Sequence, residues 1–231
     1  MRGRSWSAAV GLVTCVAATT SHALSKKEPP PACPTGSTWR EETELERWRT
    51  PTDGLPGRVG WCARDDGVRD GPMKIWWDNG WLRAESSWVA GNETGPTKAY
   101  YRDGQPQLET THRDGRPEGR YTFWHPNGQR ARLMFYDAGR PHGFAQYWDE
   151  AGRPSSQGTF FEGRKVGTWE TYHGNGVLKE VARYQDGLLF GRQLLFTEGG
   201  LFSVGACWEK GEKRWESRVE SEARTRACRP F

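Results

Sequence analysis

The chain has 231 residues, of which 29 are glycine and 13 are tryptophan, and its aliphatic residues are sparse. A sequence of this composition cannot build a thick aliphatic core, so we expect buried aromatic rings and many turns. Charged residues make up 27% of the chain, but they are interspersed and nearly cancel at a net charge of +4. This balance argues against nucleic acid as a partner and gives only weak support to a membrane surface.

The N-terminal segment at 1–23 has the pattern of a cleavable export signal. Two arginines precede an apolar stretch at residues 8–20, and the small residue Ala23 offers a cleavage point. We therefore expect an exported protein of the periplasm or cell envelope, or one secreted beyond it. The alternative is lipidation of Cys15, because residues 12–15 resemble a lipobox, although Thr14 is a poor residue before a lipidated cysteine.

Three segments flank the central part of the chain. Residues 24–37 are proline-rich and predict an extended linker. Residues 38–70 combine a run of charges with a turn-rich segment, and we expect them to form an N-terminal cap. Residues 215–231 are expected to cap the other end, as a short helix or as an irregular tail.

Residues 71–214 consist of six 24-residue repeats without any insertion. Glycine recurs at this interval in three columns. The columns are Gly71, Gly95, Gly119, Gly143, Gly167 and Gly191; then Gly80, Gly104, Gly128, Gly152, Gly176 and Gly200; and finally Gly91, Gly115, Gly139, Gly163, Gly187 and Gly211. Glycine is rare enough elsewhere that a complete match at every position establishes the repeat.

Aromatic residues keep the same interval in two further columns. One column is Trp76, Tyr100, Trp124, Trp148, Tyr172 and Phe196, and the other is Trp88, His112, Tyr136, Phe160, Tyr184 and Trp208. Each aromatic position is followed three or four residues later by glycine, which indicates a strand that ends in a tight turn. Asn-Gly pairs such as Asn79-Gly80 favour hairpin turns because both residues tolerate a positive φ.

These patterns predict an all-β fold, an elongated array of consecutive antiparallel β-hairpins closed by capping segments at both ends. Alternation along the strands supports it, since Leu82, Ala84, Ser86 and Trp88 share one face. We expect the aromatic rings to stack along one face of this sheet, each held between the rings of neighbouring repeats.

The glycine and aromatic spacing resembles the MORN repeat, most clearly in GTWETYHGNG at residues 167–176 and YQDGLLFG at residues 184–191. The resemblance is closest to the variant repeats of bacterial antitoxin-like and immunity-like proteins. It implies a ribbon of hairpins that acts as a protein-interaction or membrane-associated scaffold, without chemistry of its own. The export signal departs from the cytoplasmic setting of an antitoxin.

Cleavage after Ala23 leaves four cysteines, and an even number in an exported chain predicts disulfides. Three connectivities are possible. We favour Cys33–Cys62 and Cys207–Cys228, because each pair flanks one end of the repeat array. The spacing of the four cysteines does not match that of a zinc ribbon.

The sequence predicts no catalytic, cofactor or metal site. It contains no Gly-x-Ser-x-Gly motif, and oxidised cysteines could not act as nucleophiles. His125 and His173 occupy equivalent turns two repeats apart, too far for a shared metal, and His112 replaces an aromatic ring in its column. We assign these histidines structural or surface roles.

Aromatic residues outside the columns are the candidates for partner contact, because the repeat does not require them. They are Trp77, Trp81, Tyr101 and Phe161. The leading hypothesis is a non-enzymatic scaffold that binds a protein partner in the bacterial cell envelope. The alternatives are an immunity protein that neutralises a toxin and a module that binds envelope glycan or lipid through exposed aromatic residues.

Overall fold

The computed structural model describes residues 30–43 and 57–228. The predicted export signal at 1–23, the lipidation alternative at Cys15 and the first six residues of the predicted linker lie outside the described residues. So do part of the N-terminal cap, at 44–56, and the last three residues of the chain.

The described chain forms one 17-stranded antiparallel sheet and one short helix. The strands are β1 (Ser37–Glu42), β2 (Arg58–Arg64), β3 (Arg69–Trp76), β4 (Leu82–Val89), β5 (Asn92–Glu93), β6 (Gly95–Tyr100), β7 (Pro106–Arg113), β8 (Arg116–Trp124), β9 (Arg130–Asp137), β10 (Arg140–Pro141), β11 (Gly143–Trp148), β12 (Pro154–Phe161), β13 (Arg164–Tyr172), β14 (Leu178–Gln185), β15 (Leu188–Phe196), β16 (Phe202–Glu209) and β17 (Glu212–Ser217). The helix is α1 (Glu220–Thr225).

Each strand pairs with the next one along the chain, from β1 to β17. Two of the strands are interrupted, and each is divided into a short and a long segment. β5 and β6 both pair with β4, and β10 and β11 both pair with β9, because a bulge divides each of these second partners. The predicted all-β array of consecutive hairpins is confirmed.

Two kinds of turn alternate along the array. At the long turns the hairpin closes over five residues, as in the bond from the Trp77 amide to the Trp81 carbonyl at 2.8 Å. At the short turns two residues with positive φ connect the strands, Ala90 at 48° and Gly91 at 82° in the first repeat. This is the geometry of a type I′ turn, whose twist matches that of the flanking strands.

The two aromatic columns lie on opposite faces of the sheet, so the expectation of a single aromatic face is wrong. Trp88 pairs with Gly71, and cross-strand partners share a face. Trp76 stands five positions after Gly71, an odd number, and therefore points to the other side. We call the side of Trp88 face A and the side of Trp76 face B.

Rings of one column do not stack directly on each other either. Members of a column stand two strands apart, about 9.6 Å, whereas aromatic pairs contact at ring-centroid distances of about 4.5–7 Å. Side chains of the intervening strand fill the gap. On face B the Arg130 guanidinium lies 5.3 Å from the Trp148 ring, and on face A the Lys165 ammonium lies 5.1 Å from the Tyr184 ring.

The two hydrophobic clusters of the core form a thin layer on face A. Its central cluster contains Met134, Ala145 and Trp169 as buried residues. Half-buried rings pack against them, and the Phe160 and Trp169 rings meet edge to face at 5.0 Å. Gly158 makes this contact possible, because a Cβ there would collide with the Trp169 indole.

Both ends of the array are cross-linked. Disulfides join Cys33 to Cys62 and Cys207 to Cys228, with Cα–Cα distances of 5.6 Å and 5.7 Å, and these are the pairs that the sequence favours. The second disulfide holds the segment after β17, where α1 packs on face B against β16. Among the described residues, no helix is long and apolar enough to cross a membrane.

Candidate interaction surfaces

Trp77, the first of the predicted contact residues, is buried in the long turn of the first repeat. Its side chain is only 6% exposed, and its indole Nε1 donates to the Tyr100 carbonyl at 3.2 Å. The Arg83 guanidinium lies 4.4 Å from the ring and the Arg102 guanidinium lies 5.5 Å from it. Trp77 thus joins its own turn to the long turn of the next repeat.

Trp81 and Tyr101 are half-buried at the same edge of the sheet. The Tyr101 hydroxyl donates to the Trp124 carbonyl at 2.5 Å, which repeats the contact of Trp77 one repeat further on. The Trp81 ring covers Gly104, where a Cβ would lie 2.5 Å from the indole. We call the edge of the sheet at which the long turns lie the long-turn edge. The structure therefore places three of the four predicted contact residues within the packing of this edge.

The same turn-to-turn bond continues through the two turn histidines. The Nε2 atoms of His125 and His173 lie 3.0 Å and 2.8 Å from the carbonyls of Trp148 and Phe196. A second hydrogen bond also joins successive long turns. In it, an asparagine side-chain amide donates to a carbonyl in the long turn of the next repeat. Its donors are Asn79, Asn127 and Asn175.

Phe161, the fourth predicted contact residue, lies at the opposite edge, beside a short turn. Its side chain is 53% exposed on face B, and its ring centroid lies 5.1 Å from that of His142. The four predicted residues consequently do not form one site.

Phe161 belongs to an exposed apolar patch that sequence reasoning missed. Phe135 and Phe144 are 40% and 44% exposed on the same face. The His142 amide donates to the Phe135 carbonyl at 2.8 Å and Gln146 pairs with Leu133, so Phe144 lies on the segment of β11 next to Phe135. We call Phe135, Phe144 and Phe161 the phenylalanine patch. The signal in the sequence was the departure of these positions from the polar residues of other repeats, such as Thr111, Thr168 and Gln185.

Arginines surround the phenylalanine patch on face B. In the strand register Arg120 lies opposite Phe135, Arg164 lies opposite Phe161, and Arg140 lies opposite Asp137 at the adjoining short turn. None of these three arginines is within ion-pair distance of a carboxylate in the part of the chain that the structure describes. The three arginines make the rim of the patch mainly cationic, although the Asp137 carboxylate adjoins it.

Further along face B, a polar network joins β12 and β13. The Tyr172 hydroxyl and the Gln157 amide both donate to Glu170 Oε2, each at 2.7 Å. These two hydrogen bonds lower the pKa of Glu170. Burial, followed by the bond to Glu170, raises the pKa of Tyr172 to about 12. Both shifts keep each group in its ordinary charge state near neutral pH, which is the opposite of a poised acid and base.

A comparable network lies on face A. The Trp208 indole donates to Gln193 Oε1 at 2.7 Å, and the Gln193 amide donates in turn to Glu180. His112, in the second column, lies 3.0 Å from the Thr97 hydroxyl through its Nδ1 atom. The described residues contain no group of three or more histidine, cysteine, aspartate and glutamate side chains that could hold a metal ion.

A family model, that of the MORN repeat variant, matches residues 69–90, 117–138 and 165–186. Each match begins at a first strand, passes through the long turn and ends at the short turn. The matches fall on every second repeat and coincide with the repeats that carry Asn79, Asn127 and Asn175. The three segments are thus similar to MORN repeat variants, which form repeat scaffolds that often bind proteins or membranes and are generally not catalytic.

No curated protein matches the chain. The narrower resemblance to bacterial antitoxin-like and immunity-like proteins is therefore without support from any relative.

Proposed function

We propose that this protein is a non-enzymatic scaffold of the bacterial cell envelope that binds a partner protein on face B of its repeat sheet. The observation that carries this proposal is the phenylalanine patch. Three large apolar side chains stand 40–53% exposed on adjoining strands, at positions where no other repeat carries an aromatic residue. Clustered exposed apolar residues mark interaction sites, whereas isolated ones do not.

The envelope location is supported by two independent features. Two cysteine pairs at disulfide distance fit an oxidising compartment. The export signal predicted over residues 1–23 would deliver the chain to such a compartment.

Crosslinking in intact cells tests this function directly. Tagged full-length protein is crosslinked in the envelope, purified under denaturing conditions and analysed for covalently attached proteins by mass spectrometry. We expect one protein to be enriched reproducibly from the envelope fraction. Recovery of the mature chain mainly from the cytoplasm, or without any enriched protein, would contradict the proposal.

A second candidate function is glycan binding on face A. Half-buried rings line this face without any covering element among the described residues, and Tyr121 and Tyr136 lie 5.5 Å apart between their centroids. Aromatic faces of this kind can stack on sugar rings. Tyr147 of β11 is one of these rings. We expect retention on purified cell walls to be lost in Tyr147→Ala and kept in Phe144→Ala, which changes the other face of the same strand.

A further inference from the structure

Face B already accepts a helix within this chain. Ala223 of α1 is completely buried, and it lies so close to Gly205 that a Cβ there would collide with it. Gly205 breaks its column, since the same position in the other repeats carries larger side chains. These are Glu85, Glu109, Leu133, Gln157 and Val181. The glycine therefore makes room for a helix that lies on the strands.

The phenylalanine patch lies on the same face and is uncovered. Phe161 in β12 and Gly205 in β16 are four strands apart, about 19 Å, so α1 leaves the patch uncovered. The patch spans consecutive strands β9, β11 and β12 at steps of about 4.8 Å. This spacing is close to the rise of one helical turn, about 5.4 Å, so a helix crossing the strands could place one apolar residue near each phenylalanine.

The charge around the patch defines the rest of the partner surface. Arg120, Arg140 and Arg164 form a cationic rim without carboxylate partners among the described residues. A helix that presents glutamate or aspartate beside its apolar stripe would pair with this rim.

A flat anionic bilayer fits the face less well than a helix does. α1 packs on face B and stands out from it, so a flat surface would meet the helix before it reached the patch. A narrow partner avoids this obstacle.

We propose that the phenylalanine patch and its arginine rim form a docking surface for an acidic amphipathic helix supplied by the partner protein. This inference rests on the proposed scaffold function and specifies its partner. The binding mode is that of an amphipathic helix laid with its apolar face on a hydrophobic surface. The phenylalanines anchor the apolar stripe, and the arginines select its acidic flanks.

The test uses the oxidised mature chain and a fluorescein-labelled peptide of roughly 18 residues, five helical turns long, with leucines on one face and glutamates on the other. A peptide with lysine in place of glutamate and vesicles of phosphatidylglycerol are measured in parallel. The patch variant combines Phe135→Thr, Phe144→Thr and Phe161→Gln, which are residues that other repeats carry at these positions. Val89→Gln is the matched control, because Val89 occupies the column of Phe161 and is 57% exposed.

We expect the acidic peptide to bind the native chain and Val89→Gln equally, and the patch variant at least about tenfold more weakly. The lysine peptide should not bind. Failure of the acidic peptide to bind, or binding unchanged in the patch variant, overturns the inference. Vesicle binding that depends on the patch, without peptide binding, assigns the patch to lipid and overturns it as well. If the patch variant does not bind the acidic peptide but still crosslinks to the envelope partner, the partner binds elsewhere: the scaffold function stands and the helix-docking inference is overturned.

Discussion

The long-turn edge of this sheet is held together by single side chains that reach the backbone of the next repeat. Trp77, Tyr101, His125 and His173 occupy one column of the repeat and contact the carbonyls of residues 100, 124, 148 and 196. Such bonds satisfy turn carbonyls that lie outside the strand ladder. Residues that look dispensable to the repeat are therefore part of its packing.

Replacing Trp77 by alanine should destabilise the protein substantially. The indole is 6% exposed and bridges two turns, and removal of a buried tryptophan typically lowers the free energy of unfolding by about 3–5 kcal/mol. Urea unfolding followed by circular dichroism measures the change. Leu201→Ala, at a residue 73% exposed beside another long turn, should shift it by less than about 0.5 kcal/mol. A similar small effect of Trp77→Ala would show that the turn bridge does not stabilise the array.

The bond between Tyr172 and Glu170 predicts a specific pH dependence of stability. The pKa of Glu170 is lower in the folded protein than in the unfolded chain. Its stabilising contribution is therefore full above the unfolded pKa and is lost as the pH falls through the folded pKa. Tyr172→Phe removes the largest cause of this shift, so we expect the variant to lose less stability than the wild type on acidification.

The same pair of residues also predicts a loss of stability at alkaline pH. The folded pKa of Tyr172 is raised to about 12 from an ordinary value of 10.0, so its contribution is lost as the pH rises through that interval. The free energy of unfolding of the wild type, measured across both pH ranges, should fall at acid and at alkaline pH. Tyr172→Phe should weaken the acid loss (the acid arm) and remove the contribution of Tyr172 to the alkaline loss. Tyr121→Phe, on the opposite face, should keep the acid arm. Identical acid profiles of the wild type and Tyr172→Phe would rule out the coupling.

Sequence reasoning predicted the turns, but it did not predict how the residues beside them pack. Gly91 and the equivalent glycines predicted the short turns, because a turn depends mainly on the conformation of the local backbone. Trp77 and Tyr101 seemed free to bind a partner because their carbonyl acceptors lie in the next repeat. A signal was present, since four of the six residues of this column carry a ring that can hydrogen-bond. The phenylalanine patch could be seen only from the strand pairing, which makes neighbours of the strands that carry Phe135, Phe144 and Phe161.

At the scale of elements, strand parity decides which side chains meet. The half-repeat interval between Trp76 and Trp88 suggested equivalent positions in two halves of a repeat. The hairpin pairs Trp88 with Gly71, however, and the odd separation of Gly71 and Trp76 then divides the rings between faces. The repeat period alone does not show which face each ring occupies, because the face depends on the strand register that the turn sets.

The docking of α1 makes Gly205 of β16 sensitive to side-chain size. Gly205→Val introduces the residue that the preceding repeat carries at Val181, but its side chain would collide with the buried Ala223. We expect α1 to leave face B and the free energy of unfolding to fall by about 1–3 kcal/mol. Hydrogen exchange of residues 217–228 should become fast while β16 remains protected.

Gly174→Ala is the control for this substitution. Gly174 lies in a long turn, and a Cβ there would meet nothing within 4 Å. Slow exchange of residues 217–228 in Gly205→Val would mean that the contact between Ala223 and Gly205 does not hold the helix in place.

At the scale of the whole molecule, the array behaves as a one-dimensional stack in which each hairpin pairs only with its neighbours in the chain. Stability in such a stack is roughly the sum of the repeats and their interfaces, so the ends are the weakest points. Here each end carries a disulfide, one closing the segment from Cys33 to Cys62 and the other from Cys207 to Cys228. The two bonds therefore protect opposite ends of one continuous sheet.

Removing one disulfide should loosen one end of the molecule. A disulfide that closes a segment of this length contributes about 3 kcal/mol to stability. In Cys207→Ala with Cys228→Ala, we expect hydrogen exchange to accelerate in β15, β16 and β17, while β3 and β4 keep their protection. Cys33→Ala with Cys62→Ala should give the mirror image, with fast exchange in β1 and β2. Equal loss of protection in all repeats of either variant would show that the sheet unfolds as a single cooperative unit and that the disulfides act on the whole array, not on its ends.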